Sequence, residues 1–231
     1  MRDGAGYSIF LIPDGNIGLM LTGINFAAIR PSVKLVTAGW IALPFFFFLA
    51  LPFAVDAGEP TERIRVAIDE GIQVLNESNN GGDVEKKEAV ERLRKIVYPL
   101  FDFTEMAKRS LGSHWRRRTP EEKREFVTLF TNLLENSYAD RIDLYNGQRV
   151  VFTREEVDDN YAMVESKIVN PKNEEFTVGY KLLRRDGGNW KIYDVVVENI
   201  SLVNNYRSQF HRVIANTSYS DLVTKMREKT Q

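Results

Sequence analysis

Residues 190–210, WKIYDVVVENISLVNNYRSQF, change period halfway along. Up to Val197 the apolar residues read as a strand, with Ile192 and Val196 pointing one way and Tyr193, Val195 and Val197 the other. A strand with one wet face alternates apolar with polar, so both faces of this one need apolar cover. After Ile200 the spacing becomes helical, with Val203, Tyr206, Phe210, Val213 and Ile214 on one side. A short amphipathic segment with Leu222, Val223 and Met226 follows.

Upstream, Asp186-Gly187-Gly188-Asn189 is a turn cluster that joins the opening strand to another as a hairpin. In that earlier strand Phe176, Val178, Tyr180 and Leu182 alternate with Thr177, Gly179 and Lys181. RVVFTREEV (149–157) and NYAMVESKIV (160–169) read as two further strands.

From Thr61 to Ile142 the sequence reads as four helices. Thr61 is placed to cap a helix carrying Ile64, Ile68, Ile72 and Leu75, which the Gly81-Gly82 turn ends. A second helix turns Val90, Leu93, Ile96 and Val97 inward and stops at Tyr98-Pro99. Asp102-Phe103-Thr104-Glu105 opens a third as a capping box, and Leu111-Gly112 closes it. Thr119-Pro120-Glu121-Glu122 starts the longest, with Phe126, Leu129, Phe130, Leu133, Leu134, Tyr138 and Ile142 on one broad face. Helices, then strands, then helices indicate α+β: a curved antiparallel sheet of about four strands, helices packed over one face, an apolar cavity enclosed between them.

Of the 231 residues, 43% are hydrophobic and 27% charged, as in a globular protein. A net charge of -1 gives no reason to expect nucleic acid, and the absence of cysteine removes disulfides and thiolate chemistry. His114 and His211 lie far apart in sequence, which leaves little material for a metal site. Residues 35–55, LVTAGWIALPFFFFLALPFAV, carry no charge and follow Arg30 and Lys34. With small residues around Ala57, residues 1–57 read as an extension plus secretory signal, the true start at Met20 and cleavage near Ala57. An uncleaved membrane anchor is the alternative. In either case residues 58–231 form a single domain outside the cytoplasm.

Catalytic motifs are missing. His114-Trp115 has no nucleophile or metal partner in a flanking motif, and Arg116-Arg117-Arg118 reads as a solvated turn or a headgroup patch. Glu155-Glu156 and Asp158-Asp159 have no spacing that marks an acid/base pair. Asp194, a carboxylate among apolar strand residues, pairs with an arginine or caps the next turn. The apolar stripes are read first as core and second as the lining of a binding cavity.

FDFTEMAKRSLGSHWRRRTPEEKREFVTLFTNLLENSY (101–138) and, later, NWKIYDVVVENISLVNNYRSQF (189–210) resemble the Mla/toluene-tolerance family of periplasmic phospholipid-binding proteins, the MlaC type. The likeness runs from about residue 60 to the C-terminus. It implies a periplasmic carrier that helps maintain outer-membrane lipid asymmetry. Such a carrier moves a glycerophospholipid between an outer-membrane lipoprotein–porin complex and an inner-membrane ABC transporter complex with a lipid-binding ring subunit. No cofactor, metal or enzymatic step is implied. Carried across position by position, it marks Tyr138, Phe176, Val178, Tyr180 and Ile200 as lipid-lining. Pattern alone adds Phe103, Met106, Phe130, Leu134, Val164, Ile192, Val196, Tyr206 and Phe210. The competing functions are an envelope interaction domain without cargo, and a lipid hydrolase.

Overall fold

The computed structural model describes residues 59–78, 83–139, 145–186 and 188–230. The expected signal and extension (1–57), the Gly81-Gly82 turn and Ile142 lie outside these residues, as does the side chain of Tyr138. Helices α1 (Glu59–Ser78), α2 (Asp83–Val97), α3 (Phe103–Leu111) and α4 (Pro120–Ala139) come first. Strands β1 (Arg149–Asp158), β2 (Tyr161–Val169), β3 (Glu175–Arg184), β4 (Trp190–Val197) and β5 (Ile200–Ser201) follow, then α5 (Leu202–Asn216) and α6 (Tyr219–Thr230). The strands form one antiparallel sheet in chain order, so the architecture is α+β with five strands rather than about four.

The extra strand is β5, two residues long. Glu198 and Asn199 take φ of 48° and 66°, the left-handed pair that a tight hairpin turn requires. That turn folds Ile200 and Ser201 back onto Val197 and Val196. The expected hairpin between β3 and β4 closes through Gly188 at φ 83°, with the Arg185 N–H donating to the Asn189 carbonyl at 2.9 Å.

Start signals were realised unevenly. At α4 the capping box is reciprocal: the Glu122 N–H donates to Thr119 Oγ1 at 3.2 Å, and the Thr119 N–H donates to Glu122 Oε2 at 2.8 Å. At α3 only half forms. Asp102 Oδ1 accepts from the Glu105 N–H at 2.9 Å, but the Asp102 N–H goes to the Ile192 carbonyl at 2.8 Å. Glu105 turns inward instead and meets Arg109 at 2.8 Å, Lys108 at 3.1 Å and Arg185 at 3.6 Å. Thr61 does not cap α1, which starts two residues earlier; its N–H donates to Glu155 Oε2 on β1 at 2.8 Å.

The register of β4 corrects the expected facing of its side chains. Lys181 pairs with Asp194 and Leu182 with Ile192, which leaves Tyr193 as an extra residue. Such a bulge shifts the alternation by one. Ile192, Val195 and Val197 therefore lie opposite Leu182, Tyr180 and Val178 and share one face, while Val196 falls on the other. The expectation that Ile192 and Val196 point the same way, with Val195 and Val197 opposed, fails for that reason. Tyr193 lies beneath the Arg109 guanidinium, 4.1 Å from its ring centre.

The buried residues form two clusters. One joins α3, α4, α5 and α6 through Met106, Leu111, Phe126, Phe130, Leu133, Tyr206, Phe210 and Met226. The other sets Ile64 of α1 against Ala162, Val164, Leu182, Trp190 and Ile192 of the sheet. Asp194, 4% exposed, ties the sheet to α5: Ser201 Oγ donates to it at 2.7 Å and the Val203 N–H at 3.0 Å, with Lys181 Nζ at 3.6 Å. It caps the helix and pairs with a lysine rather than an arginine. Asp194→Ala strands those donors and is expected to lower unfolding free energy by about 3 kcal/mol, measured by urea denaturation.

Candidate functional site: an apolar cleft

Between the sheet and the helices lies a cleft of about 370 Å³, towards the low end of the ~300–1,000 Å³ typical of ligand sites. On the helical side it is lined by Val97, Tyr98, Phe101, Phe103, Met106, Thr131, Leu134, Glu135 and Leu202, and on the sheet side by Val178, Tyr180, Val195 and Val197. Local sequence explains each wall. The Tyr98-Pro99 stop turns the chain into a short 3₁₀ segment, Tyr98–Leu100, whose end bridges to Ile192 and presents Phe101 and Phe103. The Tyr193 bulge supplies the opposite wall, because it rotates Val195 and Val197 onto the helix-facing side.

Of the residues expected to line a cavity, the structure brings Phe103, Met106, Leu134, Val178 and Tyr180 together there. Phe130, Tyr206 and Phe210 sit instead in the helical cluster, and Val164 and Ile192 in the sheet cluster, all at most 4% exposed. Phe176 is half-buried and Val196 lies on the opposite sheet face. Ile200 is 48% exposed in β5 and does not line the cleft. Sequence reading missed Val97, Tyr98, Phe101, Val195 and Val197. Val97 was expected inward, yet it is 38% exposed where the cleft opens, and Val197 is 40% exposed. Neither belonged to a stripe that looked unfinished.

The lining asks for little polar recognition. Thr131 Oγ1 donates to its own helix at the Val127 carbonyl, 2.8 Å away. The Tyr98 hydroxyl donates to Glu135 Oε2 in a short hydrogen bond. Burial pushes the Tyr180 phenol up, as an apolar wall should. No serine, cysteine or histidine is among the described lining residues.

Burial, followed by the bond to Glu135, pushes Tyr98 up to about 12. A phenol held above its ordinary value of about 10 favours folding below pH 10, and that contribution is lost as pH climbs through about 12. Tyr219 is likewise pushed to about 12, chiefly by burial. Burial raises Tyr180 and Tyr193 too, so ultraviolet titration of the nine tyrosines should show a group of late phenols, and Tyr98→Phe should remove one of them.

Away from the cleft, the fold unites the two histidines that sequence distance had separated. His114 Nε2 lies 3.2 Å from His211 Nδ1. Burial, then His211, Arg117 and Arg118, hold His114 below its usual value. No group of three or more histidine, cysteine, aspartate or glutamate residues among the described residues could hold a metal ion. The arginine run is divided: Arg118 pairs with Glu122 at 3.2 Å and lies 4.3 Å over Tyr219.

Known proteins resemble this chain in sequence and in fold. Residues 65–228 match the family model described as MlaC protein. The intermembrane phospholipid transport system binding protein MlaC of Haemophilus influenzae is 22% identical over 140 residues, 59% of this chain and 65% of that protein. A toluene tolerance protein of Pseudomonas putida is 28% identical over 122 residues, 52% of this chain and 56% of its own. The chain thus spans about 60% of the length of these curated relatives. The structure of a phospholipid-binding protein from Ralstonia solanacearum, in complex with a phospholipid, superposes with a TM-score of 0.64 at 22% identity, covering 75% of this chain and 97% of that one. That likeness is one of fold, and the family match spans most of the chain: this protein belongs to the MlaC family.

Proposed function

We propose that the protein is a periplasmic carrier of glycerophospholipid and not an enzyme. The observation that carries this reading is the apolar cleft in which Tyr98, Glu135 and Thr131 are already hydrogen-bonded within the protein. Bringing acyl chain out of a bilayer into water costs about 0.8 kcal/mol per methylene. Two chains with roughly 30 methylenes would cost on the order of 25 kcal/mol, which forbids free diffusion between membranes. A dry groove that accepts grease and asks for no polar partner removes that barrier. The names of the relatives, one a phospholipid transport binding protein, support the same reading.

In this proposal residues 1–57 are the export signal with its extension, and residues 58–231 the carrier. Cargo passes between an outer-membrane lipoprotein–porin complex and the lipid-binding ring of an inner-membrane ABC transporter complex, so that outer-membrane asymmetry is maintained. The side chains proposed to touch acyl chain are those brought together in the cleft, with Val97, Phe101, Val195 and Val197 added. The test is transfer of a labelled phospholipid from donor to acceptor vesicles. Transfer should rise in proportion to added protein, and transfer no faster than the protein-free rate would refute the proposal.

A further inference from the structure

Where the cleft opens, it carries a charge that grease alone does not need. Glu135 on α4 is the ionisable acid of the lining, and its side chain is 24% exposed. Arg94 of α2 reaches it with Nε 3.3 Å from Oε1, and its guanidinium lies 5.0 Å over the Tyr98 ring. Tyr98 holds the other carboxylate oxygen. A second acid, Glu91, is 3.9 Å from Arg94 Nη1. The result is one cation shared between two anions at the edge of an apolar wall, linking helices that otherwise border the opening.

For a cargo with a phosphate, a lone carboxylate there would be a defect, since like charges at contact range repel. We propose that Arg94 and Glu135 form a headgroup site that takes phosphate at Arg94 and an ammonium at Glu135. The chain then prefers phospholipids whose headgroup carries an amine beyond the phosphate. This rests on the carrier reading above and extends it to the headgroup.

Charge balance supplies the reason. In the empty protein Arg94 is shared between Glu135 and, at longer range, Glu91. A zwitterionic headgroup pairs guanidinium with phosphate and the Glu135 carboxylate with ammonium, and adds no net charge to a cluster that already holds one acid in excess. A guanidinium suits phosphate because its parallel N–H groups match two oxygens at once. Glu135 Oε2 stays occupied by Tyr98, so the ammonium takes Oε1, the oxygen Arg94 gives up. A headgroup ending in a neutral alcohol gives Arg94 a partner but leaves Glu135 beside a phosphate with the Tyr98 hydroxyl as its donor.

The test loads the full chain from vesicles holding equal parts phosphatidylethanolamine and phosphatidylglycerol with identical acyl chains, then reads their ratio in extracts of the re-isolated protein by mass spectrometry. A ratio normalises away any change in total loading. Enrichment of the ethanolamine lipid by about threefold is expected, within the range for a partly exposed ion pair. Glu135→Gln should return the ratio to that of the vesicles, Glu135→Asp should keep part of the bias, and 1 M salt should erode it in the unaltered protein. A vesicle-like ratio in the unaltered protein overturns the site, as does a bias that survives Glu135→Gln. If the glutamine variant does not fold, the unaltered ratio and its salt dependence decide. Recovery of neither lipid sinks the carrier reading itself, an outcome distinct from recovery without bias.

Discussion

Val178→Glu is expected to reduce the phospholipid recovered with the purified protein by about fivefold to a hundredfold. Val178 is 5% exposed, faces the cleft, and pairs across the sheet with Ser166 and Val197. The Ser166 hydroxyl nearby is already spent on the Val178 carbonyl at 3.3 Å. No lysine or arginine is among the described lining residues, so a glutamate there must draw water into the cleft or take up a proton. Either costs about 1–3 kcal/mol on the scale of unpaired polar groups in proteins. Each 1.4 kcal/mol is tenfold in affinity. Val84→Glu, at a position 75% exposed on α2, serves as the control and should retain normal loading. A folded Val178→Glu protein that keeps its full complement of lipid would show that cargo lies elsewhere.

Phe130→Ala separates packed core from cleft, and should lower stability by about 3–5 kcal/mol. Phe130 is fully buried, edge-on to Tyr206 at 5.3 Å and to Phe210 at 5.9 Å, and stacked on Phe126 at 6.2 Å. Removing the ring empties a space bounded by three other rings that α4 and α5 hold in place. Urea denaturation of the lipid-free protein reads the loss directly. A change below about 1 kcal/mol would mean that Phe130 borders open space and belongs to the cleft after all.

That contrast marks where sequence reading stops. An aromatic at helical spacing must be covered, but the same stripe serves whether a neighbouring helix covers it or a ligand does. Phe103 and Leu134 border the cleft while Phe130 is sealed, although all three read alike. The difference lies in where α5 and α6 cross α4. The starts of α3 and α4, the alternation of β3 and the turn at Gly188 were legible because each depends on residues a few positions apart. The Tyr193 bulge was not. No glycine or proline marks it, and slipping one residue reverses every facing beyond it. Nor was the meeting of His114 with His211, since 97 residues separate them and only the packing of α5 beside the Gly112–Arg117 turn unites them.

The resemblance read from residues 101–138 and 189–210 reached further than periodicity, because the family model covers residues 65–228 and so includes both blocks. What periodicity added was the reason for the shape. An apolar strand needs cover, and on the one face that Ile192, Val195 and Val197 share, α1 supplies it over Ile192 while an open cleft lies over Val195 and Val197.

Native mass spectrometry of the protein, gently purified from a Gram-negative periplasm, tests the hollow-carrier account most directly. The expected mass is that of the chain plus about one diacyl phospholipid, lost together with the cleft's apolar character in Val178→Glu. A folded chain that flies at its bare mass, and stays bare after incubation with phospholipid vesicles, would contradict it.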